Sequence, residues 1–196
     1  MDVTVNVVGD GGSPTGPYIE YTSLNSSGRV FTAKFRGTVV PEYAFAYLAE
    51  LTSVDMPDNV IAIGDNGFYR CPKLQLTSLP PGITSLGDFA FSDCSKLALT
   101  SLPSGITSIG DQAFRQGTGL TSITLPPALA TIGDFAFANC TGLETVRFTS
   151  TVSSIPNGVF SGCPRLSTIY VLWSQGQVAN APWGASNATI IYDYTD

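Results

Sequence analysis

The stretch Ile132-Gly133-Asp134-Phe135-Ala136-Phe137-Ala138-Asn139-Cys140-Thr141-Gly142-Leu143 recurs, with variations, at a fixed interval along this chain. Its second phenylalanine belongs to a series in which each member follows the last by 23 residues: Phe45, Phe68, Phe91, Phe114, Phe137 and Phe160. A leucine stands six positions after each of them: Leu51, Leu74, Leu97, Leu120, Leu143 and Leu166. A fixed period of this length predicts a solenoid, in which each unit buries its apolar side against its neighbours.

Composition limits the classes of partner. Only 12% of the 196 residues are charged, about half the usual share, so Ser, Thr, Gly and Asn must form much of the surface. The net charge of −6, with nine Lys and Arg and no basic cluster, excludes a nucleic-acid partner. No apolar run approaches the roughly 18 residues of a membrane span, so we expect no membrane insertion.

The N-terminal residues 1–39 do not fit the repeat and are interpreted as a β cap, because solenoid ends need atypical units to cover the exposed core. The alternation of Val3, Val5 and Val7 predicts a strand, and the Gly- and Pro-rich residues 9–17 predict a loop. Two more strands are expected at 18–22 and 29–35, joined by a turn at 25–28. The first residues lack the basic region and apolar core of a signal peptide, and we expect none there.

The repeats occupy residues 40–172. Ile123 and Leu125 share one face of a short predicted strand, which Pro126 ends. An acidic or amide side chain then precedes each Ala-Phe pair: Glu42, Asp65, Asp88, Asp111, Asp134 and Asn157. Such a residue is typical of the N-cap of a short helical or 3₁₀ turn. Stacked aspartates also suggest a calcium ladder, but the denser Asp and Gly pattern of calcium-binding solenoids is missing, which favours the cap.

The unit L-x-x-I-x-L-P-x-x-L-x-x-I-G-D-x-A-F-x-x-C-x-x-L resembles the BspA-type leucine-rich repeat. The residues that carry the resemblance are Leu120, Ile123, Leu125, Pro126, Leu129, Ile132, Gly133, Asp134, Ala136, Phe137, Cys140 and Leu143. The resemblance implies a right-handed solenoid with its sheet on the concave face. It also implies a surface or secreted protein of host-associated microbes that acts in adhesion or protein binding.

The predicted fold class is therefore a repeat solenoid, mostly β with short helical or 3₁₀ turns, made of six repeats and two caps. Its parts are the N-terminal β cap at 1–39, the leucine-rich repeats at 40–172 and the C-terminal cap at 173–196. The segment Ala181-Pro182-Trp183-Gly184 and its continuation resemble endings of phage-borne members. A structural or receptor-binding module of a phage or surface appendage is accordingly the alternative function.

The cysteines follow the structural period, three residues after a repeat phenylalanine: Cys71, Cys94, Cys140 and Cys163. Leu48 and Gly117 occupy the same slot in the two other repeats. A residue that follows the period belongs to the core, where free Cys acts as a small hydrophobe, so we expect reduced, buried thiols. Zinc is excluded because the chain has no His and four collinear thiols cannot close a tetrahedron. Oxidation of Cys71 with Cys94, or of Cys140 with Cys163, stays open.

The sequence favours binding over catalysis. With no His, the commonest general base is missing, and a repeat offers no unique cleft for shifting a pKa. We therefore expect no enzyme activity, no cofactor and no metal. We expect a protein or glycan partner instead, held by the outward face of the sheet.

Three sets of residues are candidates for that contact. Glu144, Arg147 and Tyr170 provide anchor-type side chains on a face that is otherwise mostly Ser and Thr. Leu76 and Leu99 are either an exposed apolar patch or, as we favour, the sign of a bulge that turns them inward and Thr77 and Thr100 outward. Trp173 and Trp183 either form a lid over the last repeat, as we favour, or a platform for a carbohydrate.

Overall fold

The computed structural model describes the backbone of residues 2–8, 20–24, 30–36 and 38–195 and the side chains of residues 38–195. The predicted loop at 9–17 and turn at 25–28 lie outside the described residues. The strands are β1 Asp2–Val8, β2 Glu20–Leu24, β3 Val30–Arg36, β4 Val39–Val40, β5 Ser53–Asp55, β6 Ala62–Ile63, β7 Ser85–Leu86, β8 Ser108–Ile109, β9 Ser122–Leu125, β10 Thr131–Ile132, β11 Thr145–Phe148, β12 Thr168–Tyr170 and β13 Thr189–Ile191.

The repeats wind into a parallel β-solenoid of about seven turns, which confirms the predicted solenoid. Strands β9, β11, β12 and β13 form one sheet, the first wall, in the order β13-β12-β11-β9. Strands β4, β6, β7, β8 and β10 form the second wall in the order β10-β8-β7-β6-β4. Both walls are parallel, and the register equals the sequence period, as in Thr145 opposite Ser122 and Ser85 opposite Ser108. Each repeat therefore lies directly on its predecessor.

Six phenylalanine rings form a continuous stack through the core: Phe45, Phe68, Phe91, Phe114, Phe137 and Phe160, all fully buried. Successive ring centroids lie 5.1 to 5.8 Å apart, with interplanar angles between 3° and 25°. Each ring removes a large apolar area from water and packs on its neighbours. The residue series that the sequence identified is thus the axis of the core.

The segment that contains these phenylalanines closes each coil and forms a third side, the turn wall. The helical and 3₁₀ turns predicted here are wrong, because the described residues contain no helix. In the second repeat Asn66 and Arg70 have φ values of 56° and 57°, in the left-handed region that stops a helix. Their N–H groups and that of Phe68 donate to Asp88, Ser92 and Ala90 on the next coil, at 2.7 to 2.9 Å. The same pattern recurs along the coil, so these groups bond between coils instead of within a helix.

The first wall is interrupted in the second and third repeats. No strand forms at residues 74–80 or 97–100, and the chain bends at Thr77 and Thr100. Leu76 and Leu99 point inward, with 8% and 1% of their surfaces exposed, while the two threonines are exposed. Burying each leucine is worth about 1.5–3 kcal/mol, more than the ladder bonds lost in a local shift. The favoured bulge interpretation is confirmed, and the exposed-patch interpretation is wrong.

At both ends of the coil, strands that lie outside the six repeats pair with strands of the repeats. At the N-terminal end β1 pairs antiparallel with β5, and β3 and β2 extend that sheet in the order β2-β3-β1-β5. The three strands thus lie where the sequence analysis placed them, and β1 covers an edge that would otherwise be free to pair with another chain. At the C-terminal end β13 adds to β12. The carbonyl of Trp183 accepts the Phe160 N–H at 3.0 Å, which begins a seventh turn that the sequence pattern did not show.

No helix among the described residues is long and apolar enough to cross a membrane.

The phenylalanine stack makes a testable prediction about stability. Phe114→Ala should lower the free energy of unfolding by about 3–5 kcal/mol, because it leaves a cavity between two stacked rings. Phe135→Ala is the matched control, since this phenylalanine is 47% exposed and should cost about 1 kcal/mol or less. Urea unfolding followed by circular dichroism measures both values, and equal losses for the two variants would contradict the assignment of the stack as the core.

Candidate binding surfaces

The four cysteines are part of the core and form no disulfide. Each thiol donates to the carbonyl oxygen of the phenylalanine 26 residues earlier, at 3.0 Å for Cys71 to Phe45 and 3.1 Å for Cys163 to Phe137. Cys94 and Cys140 make the equivalent bonds to Phe68 and Phe114. The thiols therefore tie each coil to the preceding one, a role beyond the space-filling that the sequence suggested.

Burial keeps most of these thiols protonated. It raises the pKa of Cys71 to about 12 and raises the pKa values of Cys94 and Cys140 above their ordinary range. Cys163 differs, because its interaction with the Cys140 side chain lowers the pKa of Cys163, against the opposing effect of burial. Cys163 is also the most exposed of the four, at 5%.

These differences predict an order of thiol reactivity. At pH 8 a maleimide should modify Cys163 first in the native protein, because the thiolate is the reactive form. The other three thiols should react only on unfolding. Peptide mass spectrometry over a labelling time course measures the order, with Cys163→Ala as the control that removes the early event. Simultaneous labelling of all four thiols in the native protein would contradict the prediction.

The repeated aspartates also bond between coils. The Oδ1 atoms of Asp65, Asp88 and Asp111 accept the backbone N–H of the next aspartate in the series, at 2.7 to 2.8 Å. The predicted N-cap is therefore wrong, because each carboxylate accepts a backbone N–H of the neighbouring coil and not one of its own turn. Among residues 38–195 no group of three His, Cys, Asp or Glu side chains is placed to hold a metal ion.

The glycine before each aspartate permits this close approach of coils. A Cβ on Gly110 would lie 2.5 Å from the carbonyl carbon of Gly87 and 2.6 Å from both the backbone nitrogen and Oδ1 of Asp88. Real Cβ atoms do not approach backbone so closely, so any side chain there would push the coils apart. The Gly-Asp pair that recurs in the sequence is therefore one packing unit.

The aspartate ladder predicts a graded effect of substitution. Asp88→Ala should destabilise the protein by about 1 kcal/mol, because the N–H of Asp111 loses its acceptor. Asp88→Asn should cost less, since its Oδ1 remains an acceptor; Asn also occupies this slot in the last repeat, at position 157. Chemical unfolding of the two variants compares them. If Asn were as costly as Ala, the bond between the coils would not be the source of the effect.

Two predicted anchors, Arg147 and Tyr170, lie in a cluster with Tyr194 that we call the sheet corner. The Arg147 guanidinium carbon lies 4.6 Å from the centroid of the Tyr170 ring and 5.4 Å from that of Tyr194. Its Nη1 donates to the Tyr194 hydroxyl at 3.0 Å, and the two tyrosine rings lie 4.8 Å apart. The three side chains are half-buried, on β11, on β12 and just after β13. The sheet thus holds a cation against two aromatic rings that also contact each other.

Sequence reasoning missed Tyr194. Its position is set by a backbone bond from its N–H to the carbonyl of Val171, at 3.0 Å. The available signal was the concentration of tyrosines at the end of the last predicted strand. Glu144, the third predicted anchor, is not part of the sheet corner. Its carboxylate pairs with Arg165, and both side chains are well exposed.

The remaining predicted contact residues are buried. Leu76 and Leu99 lie in the core, as described above, and offer no surface to a partner. Trp173 and Trp183 are 3% and 0% exposed and pack on each other and on Phe148, with ring centroids 5.2 to 6.2 Å apart. Their interpretation as a carbohydrate platform is wrong, because neither ring has a free face. They form instead the lid that the sequence analysis favoured.

A second surface cluster lies on the turn wall, where the sequence analysis predicted no site. Tyr47, Arg70, Asp93, Arg115 and Gln116, with Ala49 and Pro72, line a shallow groove of about 580 Å³, which we call the turn-wall groove. Beside it, the Arg70 guanidinium lies 5.2 Å from the ring of Tyr69 and 5.9 Å from that of Tyr47. The signal was present in the sequence: slots that hold Ala, Ser or Asn in some repeats hold Tyr or Arg in others.

Comparison with known families identifies the repeat. Residues 38–167 match the model of the BspA type leucine rich repeat region, in six copies. The chain belongs to the BspA-type leucine-rich repeat family. No curated protein matches the whole sequence significantly.

Solved structures share the same coil. A leucine-rich repeat protein from Bacteroides ovatus is 28% identical over 80% of this chain and 46% of its own, with a TM-score of 0.63. The leucine-rich repeat protein of T. pallidum is 26% identical over 80% of this chain and 81% of its own, with a TM-score of 0.62. The pneumococcal vaccine antigen PcpA, 19% identical over 81% of this chain and 45% of its own, has a TM-score of 0.62 and shows the fold alone. The chain thus spans about half the length of the Bacteroides protein.

Proposed function

We propose that this BspA-type solenoid is a non-enzymatic adhesion module that binds a protein partner at a bacterial cell surface through the sheet corner. The observation that carries the proposal is the fixed position of Arg147, which packs against the rings of Tyr170 and Tyr194 and donates to the Tyr194 hydroxyl. Arg and Tyr are the residue types that most often dominate binding energy at protein interfaces. Because the sheet already orders these side chains, a partner loses little of its binding energy to immobilising them.

The surroundings of the sheet corner support recognition better than catalysis. The four core thiols have shifted pKa values, and they lie inside the coil and not in a cleft. The neighbouring outward positions on the sheet are Ser122, Thr124, Thr145 and Thr168, which donate and accept hydrogen bonds without carrying charge. They suit the polar rim that surrounds an anchor.

The proposed location rests on family membership and on relatives. The structural neighbours are bacterial leucine-rich repeat proteins, and one of them is a pneumococcal vaccine antigen. The alternative of a phage or surface-appendage module stays a prediction, since no described residue favours it over adhesion.

The test compares binding of labelled protein to host epithelial cells and to neighbouring bacteria. The double variant Arg147→Ala, Tyr170→Ala should bind at least tenfold more weakly, as expected when a hot spot worth about 2 kcal/mol is removed. Arg147→Lys should also bind weakly, because an ammonium group cannot replace the planar guanidinium that packs on the two rings. Protease treatment of the cells should abolish binding, whereas glycosidase treatment should not.

The double variant Tyr47→Ala, Arg115→Ala is the matched control, since it also removes one tyrosine and one arginine from the surface but at the turn-wall groove. It should bind the protease-sensitive partner as the wild-type protein does. Undiminished binding by the Arg147→Ala, Tyr170→Ala variant would refute the role of the sheet corner.

A further inference from the structure

We propose that the turn-wall groove is a second binding site, specific for an oligosaccharide that carries carboxylates, that is, an oligouronate. The groove lies across the first four repeats of the turn wall, whereas the sheet corner lies on the first wall of the last repeats. The proposal does not depend on the function of the sheet corner. It rests on three properties of the groove: the tyrosine side chains at one side, the arginine side chains in its lining, and backbone N–H groups that are already hydrogen-bonded to the next coil.

The aromatic side consists of Tyr47, which lines the groove, with Tyr69 packed beside it. Their rings meet edge to face with centroids 5.3 Å apart, and the Arg70 guanidinium packs against both. Tyr47 is 60% exposed, so one ring remains open to solvent although its neighbours hold it. The C–H groups on the face of a pyranose ring carry partial positive charge and pack on the electron-rich face of such a ring. A saccharide therefore has a ready platform at this edge of the groove.

The charge of the groove is opposite to that of the protein. The chain has a net charge of −6, yet Arg70 and Arg115 both line this groove, with Asp93 as its one acidic residue. Arg70 and Asp93 form an exposed ion pair at 3.6 Å, and Arg115 forms no ion pair with any residue of the described ranges. Arginine forks bind carboxylates in a bidentate manner. The Arg115 guanidinium is therefore available to bind an anionic ligand.

The spacing of the two arginines favours a chain with repeated carboxylates. Backbone bonds from Arg70 to Ser92 and from Asp93 to Arg115 place the two arginines two coils apart. At about 4.8 Å between neighbouring strands, this corresponds to roughly 10 Å. A ligand with a single terminal carboxylate reaches one guanidinium, whereas a short oligouronate can present carboxylates to both.

Two features favour a saccharide over an acidic peptide. The backbone N–H groups of Tyr47, Arg70 and Asp93 already donate to the next coil, so a peptide cannot add to this wall by strand pairing. Asp93 and Gln116 also line the groove. The Asp93 carboxylate and the Gln116 amide can accept hydrogen bonds from sugar hydroxyls, which the side chains of an acidic peptide do not offer. The groove thus offers acceptors for hydroxyls and donors for carboxylates, which an oligouronate satisfies together.

Isothermal titration with tetragalacturonate and with its fully methyl-esterified form tests the proposal. The esterified form keeps the shape and removes the charge, so it should bind at least tenfold more weakly. Arg115→Ala should weaken binding of tetragalacturonate at least tenfold, and Tyr47→Ala should weaken binding of both forms. Melting curves check that the variants are folded, and Arg115→Gln replaces Arg115→Ala if the latter does not fold.

Arg147→Ala is the control at the sheet corner and should leave tetragalacturonate binding unchanged. This result also separates the two proposals, because loss of cell binding by the sheet-corner variant and loss of uronate binding by the groove variants are independent. Three outcomes overturn the proposal: no binding of tetragalacturonate by the wild-type protein, equal affinity for the esterified form, or equal loss in Arg147→Ala. Binding of hexaglutamate as tightly as tetragalacturonate would overturn the choice of a saccharide.

Discussion

Backbone hydrogen bonding between coils along the turn wall is the constraint on which the other features depend. Alternate N–H groups of each turn donate to carbonyls on the next coil, which requires left-handed φ values four residues apart, as at Asn66 and Arg70. This conformation directs one phenylalanine per repeat to the interior, where its ring stacks on the next at 5.1 to 5.8 Å. It also brings the coils so close that only glycine fits before each aspartate. Phe, Gly, Asp and Cys recur in the sequence because each meets one demand of this contact.

The 23-residue period made the fold predictable, whereas local sequence rules gave a wrong prediction for the turn wall. The stacked phenylalanines and core thiols followed from spacing alone, because a residue that recurs with the coil must meet its own copy on the next coil. The turn did not, because an aspartate before Ala-Phe resembles an N-cap when only its own turn is considered. The competing donor is a backbone N–H on a coil 23 residues away, and no local pattern contains it. Asn66, Asp93 and Asn139, residue types that tolerate left-handed φ, were the local sign of that competition.

The residues of the candidate sites were predictable only where they occupy equivalent positions in adjacent repeats. Arg147 and Tyr170 occupy the same slot on adjacent repeats, so their contact followed from the register. Tyr194 lies in a cap that departs from the period, and its place depends on a single backbone bond to Val171. Leu76 and Leu99 illustrate the reverse case, since burial of two leucines outweighed the regularity of the sheet. The sequence analysis missed the turn-wall groove because its residues occupy variable positions of the repeat. These positions show no pattern along the sequence and come together only when the coils stack.

The two surface clusters share one composition, an arginine held against two tyrosines: Arg147 with Tyr170 and Tyr194, and Arg70 with Tyr47 and Tyr69. A cation–π contact at such exposed positions contributes only about 0.5–1 kcal/mol. The buried phenylalanine, leucine and isoleucine side chains contribute far more to stability, at about 1.5–3 kcal/mol each. The slots concerned also tolerate Ala, Ser, Thr and Asn in other repeats of the same coil. Stability therefore does not account for placing arginine and tyrosine there, whereas the proposed binding roles do, because both residue types combine a rigid apolar face with hydrogen-bond donors.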